Sequence, residues 1–95
     1  MATVFVSAFL RSLVPVDRVE VEGRTVGEVI ERLDGLYPGV AAELTEDGDI
    51  RPGIAVVIDD QVGQLGLFDS LSPTAEVHFL PALSGGAAPP EQATS

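Results

Sequence analysis

The sequence predicts one α+β domain, a mixed sheet crossed by one main helix. Three observations predict it. Residues 3–9 and 17–22 alternate apolar and polar side chains, the period of a strand. Residues 25–37 carry apolar side chains at helical spacing behind a complete start signal. Beyond residue 53, the apolar runs Ile54–Ile58 and Ala75–Phe79 return to strand character. Strands on both sides of a single helix fit the α+β class.

The elements follow in order. In the first strand Val4, Val6 and Ala8 share one face, and Phe5, Ser7 and Phe9 the other. Leu13-Val14-Pro15-Val16 breaks the chain, because proline suits a turn or an edge. Asp17–Glu22 forms a second strand with Val19 and Val21 on one face, paired with the first as a hairpin. Thr25 and Glu28 make a capping box, in which the threonine hydroxyl accepts from the amide three residues on and Glu28 reaches back to the Thr25 amide. Val26, Val29, Ile30, Leu33 and Tyr37 then fall on one helical stripe, with a Glu28–Arg32 pair on the far side. Gly35 and Pro38 end this helix.

Val40 and Leu44 suggest a further helical turn, and Thr45–Pro52 reads as a polar loop. Ile54–Ile58 is wholly apolar, as expected of a strand at the centre of a sheet with both faces covered. Asp59-Asp60 turns the chain into a weak, glycine-interrupted strand over 61–67, and Phe68–Leu71 reads as a one-turn helix. Ala75, Val77 and Phe79 alternate with Glu76, His78 and Leu80 in the last strand. A hairpin crossed by one helix and followed by further strands is the β-grasp arrangement. The domain is expected to span residues 1–82, followed by a flexible tail, 83–95, too poor in large apolar residues to offset its ordering entropy.

Composition excludes several functions. The 95 residues hold no cysteine, so thiol nucleophiles, thiolate metal sites and disulfides are absent. The single histidine, His78, cannot make a zinc site without carboxylates or another chain. Fifteen acidic residues against five basic ones give a net charge of −10, which opposes nucleic acid and anionic membrane surfaces; it suits a basic protein partner, or serves only to keep a small protein soluble. All five basic residues are arginines, so the chain offers no lysine amine for isopeptide or Schiff-base chemistry. No apolar run is long enough to span a bilayer, and the first residues lack a basic signal-peptide region, so the cytoplasm is the expected compartment.

The candidate working end is Gly85-Gly86, reached through Pro81, Leu83 and Ser84. An adjacent glycine pair is expected about once by chance in so glycine-rich a chain, and a plain linker would look the same. Its position gives it meaning. It lies just past the last strand, and an arm without side chains can thread a channel that any Cβ would block.

Arg24-Thr-Val-Gly-Glu-Val-Ile30, Tyr37-Pro-Gly-Val40, the acidic loop with Arg51-Pro52, Ile54–Ile58 and the ending Phe79-Leu-Pro-Ala-Leu-Ser-Gly-Gly86 resemble the MoaD/ThiS sulfur carriers. That family includes the molybdopterin-synthase small subunit and a carrier used in cysteine synthesis. The resemblance covers residues 3–86 and implies a ubiquitin-like β-grasp fold. It implies a carrier rather than an enzyme, with no bound cofactor. A partner adenylyltransferase of the ubiquitin-activating type would use ATP to adenylate the Gly86 carboxylate. Sulfur would then displace AMP, and the thiocarboxylate would serve a sulfur-accepting biosynthetic enzyme.

Two residues depart from the family pattern: Leu83-Ser84 stands where Val-Ala is usual. Residues 87–95 also follow the second glycine, where most members stop. An amide-blocked glycine cannot be adenylated. Either a peptidase of the zinc-dependent JAMM type removes the segment, or carrier function has been lost. A ubiquitin-like modifier or an interaction module with an uncut tail remains the alternative. His78 reads as surface decoration. Glu46-Asp47-Gly48-Asp49 reads as a solvated turn, lacking the spacing of a calcium loop.

Overall fold

The computed structural model describes residues 1–81. A five-stranded sheet, ordered β2-β1-β7-β5-β6, forms one layer. The strands are β1 (Ala2–Phe5), β2 (Arg18–Val21), β5 (Ile54–Ile58), β6 (Gln61–Val62) and β7 (Glu76–Pro81). Helices α1 (Val26–Leu36) and α2 (Val40–Leu44) follow the first hairpin, and a small hairpin of β3 (Thr45–Glu46) and β4 (Asp49–Ile50) comes after them. β1 runs antiparallel to β2 and parallel to β7, which in turn pairs antiparallel with β5. This is the β-grasp fold.

The core follows from strand alternation and the helix stripe. Val26, Val29, Ile30 and Leu33 of α1 are buried, as are Val4, Val56, Val77 and Phe79 of the sheet. Gly27 lets the chain approach closely, since a Cβ there would lie 3.3 Å from the Leu67 carbonyl oxygen. The helix start is also tied down by Val26 N–H to Asp69 O (3.1 Å) and Leu71 N–H to Arg24 O (2.8 Å).

Several expectations need correction. The first strand ends at Phe5 instead of continuing to residue 9. Val6 still donates to Asp17 O, but Ala8–Leu10 then coils into a 3-10 turn. Ala8 is therefore exposed, while Leu10 enters the core, as does Val14 from the segment expected to be a simple break. The central strand is β7; β5 lies one place from the edge, and only its Val56 is fully buried. Its apolar run reflects an outward sheet face that is itself apolar, rather than a cover on both sides.

The cap of α1 also differs in detail. Thr25 Oγ1 accepts from Glu28 N–H as expected (3.2 Å), but Glu28 Oε1 accepts from Arg24 N–H (2.8 Å), one residue before the expected amide. Arg32 pairs with Glu22 across to the hairpin (3.3 Å) instead of with Glu28. Gly35 sits inside the helix, which stops where Asp34 Oδ1 accepts from Gly39 N–H (3.0 Å) and Ala41 N–H (3.1 Å), turning the chain into α2. The polar loop is the β3–β4 hairpin, whose turn places Asp47 and Gly48 at positive φ. The weak strand is only Gln61–Val62, and the one-turn helix falls at Gly66–Phe68, earlier than expected.

Candidate functional site

Pro81 is exposed at the end of β7 and lies opposite Ile54 in the sheet register. The strand that delivers it is held on both sides, by β1 and by β5. A further clamp closes its end: Ser7 Oγ donates to the Phe79 carbonyl oxygen at 2.6 Å. At its start, Asp59 N–H donates to Glu76 O and Glu76 N–H donates to Asp59 Oδ1, each at 2.9 Å. Pro81 therefore leaves a rigid support. Leu83, Ser84, Gly85 and Gly86, named from the sequence as the arm and reacting residue, lie outside the described residues. So does the proposed tail, 83–95.

Beside Pro81 lies the outward face of the sheet. Because Val77 and Phe79 point inward, Glu76, His78 and Leu80 point outward. Phe5 of β1 and Val57 of β5 lie opposite His78 in the two flanking ladders. The Phe5 and His78 rings stack with centroids 4.7 Å apart and planes 6° from parallel. Leu80 is 39% exposed, and Ala55 and Val57 are half-buried. The result is an apolar strip at the root of the arm, with Glu20 and Glu76 exposed around it and Arg18 exposed opposite Phe5.

His78 is less exposed than the sequence led us to expect. It is half-buried, and its Nδ1 is enclosed without a hydrogen-bond partner among the described residues. Such a nitrogen costs roughly 1–3 kcal/mol relative to a satisfied one. An apolar residue would suit the position better for stability alone. Sequence reading missed Phe5, Val57 and the Ser7 clamp, because each acquires its role through register. The alternation of β1 and β7 was visible, but not which residues stand opposite each other.

Among the described residues, no three His, Asp or Glu side chains converge to hold a metal ion. No helix among them is long and apolar enough to cross a membrane. The Glu46–Asp49 segment is the turn of the β3–β4 hairpin.

Comparison with known proteins agrees with this geometry. The model of the ThiS family matches residues 4–86. Small archaeal modifier protein 3 of Haloferax volcanii is 33% identical over 64 residues, covering 65% of this chain and 70% of that protein. A chain in the crystal structure of the Amycolatopsis orientalis BexX/CysO complex is 27% identical and superposes with a TM-score of 0.83, over 90% of this chain and all (100%) of that one. Mycobacterium tuberculosis CysO is 25% identical, with a TM-score of 0.80 over 87% of this chain and 100% of its own. With the fold, the residue match and these relatives in agreement, the chain belongs to the ThiS family of ubiquitin-like β-grasp carriers and modifiers.

Proposed function

We propose that this protein is a sulfur carrier whose reacting group is the carboxylate of Gly86, freed by removal of residues 87–95. The observation that carries the reading is that the family match ends at residue 86, the second glycine. The exposed end of β7 supports it, since Pro81 stands five residues before Gly86 and an extended segment of that length reaches at most about 17 Å. The reacting carbon would thus stay within that distance of Pro81.

In the proposed cycle, a Gly86 carboxylate oxygen attacks the α-phosphorus of ATP on an activating enzyme, and pyrophosphate leaves. Hydrosulfide attacks the acyl-adenylate carbonyl, and AMP leaves with the oxygen. The thiocarboxylate then donates its sulfur to a biosynthetic enzyme. All catalytic groups belong to the partners, and ATP is theirs to bind. A JAMM-type peptidase is the proposed agent of tail removal, and the cytoplasm the proposed setting. The strip beside Pro81 is the proposed docking face for the activating enzyme, with surrounding acidic residues steering it toward a basic surface.

The likeness to an archaeal modifier protein favours a second reading, attachment of Gly86 to target lysines. This chain has no lysine, so it cannot build lysine-linked chains on itself. Both readings begin with adenylation and part at the next step. The test is to incubate Gly86-terminated protein with an activating enzyme, ATP and sulfide and record its intact mass. Replacement of one oxygen by sulfur is expected. A verified active enzyme that yields adenylate but no thiocarboxylate, and instead yields conjugates, assigns the modifier role.

A further inference from the structure

The sheet has two edges of unequal character. β6 spans only Gln61–Val62, whereas β2 spans Arg18–Val21 and its pairing extends to the Val6–Asp17 bond. Antiparallel pairing alternates hydrogen-bonded and non-bonded residue pairs. Since Val6 N–H donates to Asp17 O, the bonded pairs continue at Val4–Val19 and Ala2–Val21. The main-chain groups of Arg18 and Glu20 therefore point away from β1. They have no main-chain partner among the described residues.

Next to this edge, between β2 and α1, lies a groove of about 440 Å³. Val21, Met1, Gly35 and Leu36 give it an apolar lining, and Glu31 stands on it as a free carboxylate, while Glu20 borders it from the edge strand with its side chain on the sheet's other face. Met1 and Leu36 are 62% and 60% exposed, among the most exposed large apolar side chains described. Gly35 keeps the groove open: a Cβ there would meet nothing within 4 Å. The one arginine in the lining, Arg32, is held by Glu22, so the groove is acidic.

We propose that the β2 edge receives an extended segment of a partner protein, rich in basic and apolar residues, as a sixth strand. Arg18 and Glu20 would exchange main-chain hydrogen bonds with it. Its apolar side chains would fall into the groove against Leu36 and Val21, its basic residues would lie on the other face beside Glu20, and Glu31 would add to the negative field along the groove. A second copy of this chain is a poor occupant, because each copy carries a charge of −10. The site is on the opposite margin of the sheet from β5 and β6 and does not rest on the carrier reading.

The experiment is an amide NMR titration of the full chain with a short peptide of alternating lysine and valine. Its control is the same peptide with every second amide N-methylated, equal in charge but unable to donate. Saturable shifts centred on Arg18, Glu20 and Leu36 are expected, with slowed amide exchange at Arg18 and Glu20. Loss of two main-chain bonds should weaken the control about tenfold. Gly35→Leu, which fills the groove from an open helix position, should weaken the first peptide similarly while leaving the spectrum folded. Glu31→Lys should do so through charge. Equal affinity for both peptides, or shifts scattered over the acidic surface, would overturn the proposal. So would concentration-dependent dimerisation that protects the same amides without peptide.

Discussion

Phe5 and His78 stack across the parallel ladder between β1 and β7, at 4.7 Å and 6° between planes, three residues before Pro81. The stack joins the two strands on the side of the sheet away from the helices. A half-buried aromatic pair of this kind contributes roughly 0.5–1.5 kcal/mol beyond its area. It also forms part of the strip proposed to meet the activating enzyme.

The first prediction separates stability from docking at this pair. His78→Phe removes the enclosed, unpartnered nitrogen and keeps the ring, so it should raise stability by about 1 kcal/mol in denaturant titration. His78→Asp should keep the fold and weaken binding of the activating enzyme by about tenfold, since it places a charge in an apolar contact. Association of the unmodified chain should slow as salt rises, because the acidic rim steers the encounter. An association rate indifferent to salt, or full affinity in His78→Asp, would remove the strip from the interface.

The helix caps supply the second prediction. Thr25→Ala removes the hydroxyl that accepts from Glu28 N–H and should cost about 1 kcal/mol. Asp34→Ala should cost at least as much, because one carboxylate oxygen serves both Gly39 and Ala41. Neither residue lies on the sheet's outward face, so adenylation of the trimmed protein should be unchanged at a temperature where both variants are folded. A cap variant that loses adenylation while keeping its fold would show that the helical layer also contacts the enzyme.

How far the chain could be read from its sequence is clearest from these same residues. Thr25-x-x-Glu28 announced the helix start because a cap is a local device, set by a few consecutive amides. The buried faces of α1 and β7 were legible for a related reason: one period, 3.6 or 2, persisted long enough to be seen. What escaped was non-local. Arg32 finds Glu22 rather than Glu28 because the hairpin packs beside the helix. Leu10 and Val14 enter the core because Ser7 turns the chain toward Phe79. Ile54–Ile58 looked central because its composition was apolar on both faces, yet strand order depends on pairing that no single segment encodes. At the candidate site, the glycine pair was visible as a motif, whereas the Phe5–His78–Val57 strip beside it exists only through register.

Two glycines of the α1–α2 corner should respond oppositely to alanine. Gly35 lies in the helix with open space where its Cβ would be, so Gly35→Ala should stabilise by up to about 1 kcal/mol. Gly39 has φ +107°, and a Cβ there would lie 3.2 Å from Leu13 Cδ2. Gly39→Ala should therefore destabilise by about 1–2 kcal/mol. Thermal denaturation of the two variants side by side checks the contrast, and equal shifts would contradict the corner's geometry.

The last prediction concerns residues 87–95. If the proposed carrier chemistry holds, the full-length chain cannot be adenylated, because its Gly86 carbonyl is tied up in an amide bond to Ala87. An amide lacks the nucleophilic carboxylate oxygen that attacks ATP, so no affinity for the activating enzyme can compensate. The core elements all lie within residues 1–81, and Phe79 is the last fully buried side chain described. Full-length and Gly86-terminated proteins should therefore have the same melting temperature to within a degree or so, since residues 87–95 carry no large apolar side chain. Only the shorter form should exchange pyrophosphate into ATP in the presence of the activating enzyme. A third protein, trimmed at Gly85, separates chemistry from access: it presents a carboxylate one residue short of the reacting position, and it should bind the enzyme yet exchange pyrophosphate far more slowly. Equal exchange by the full-length protein would show that activation does not need a free Gly86 carboxylate. The residues after the glycine pair would then be part of the arm rather than a cap on it.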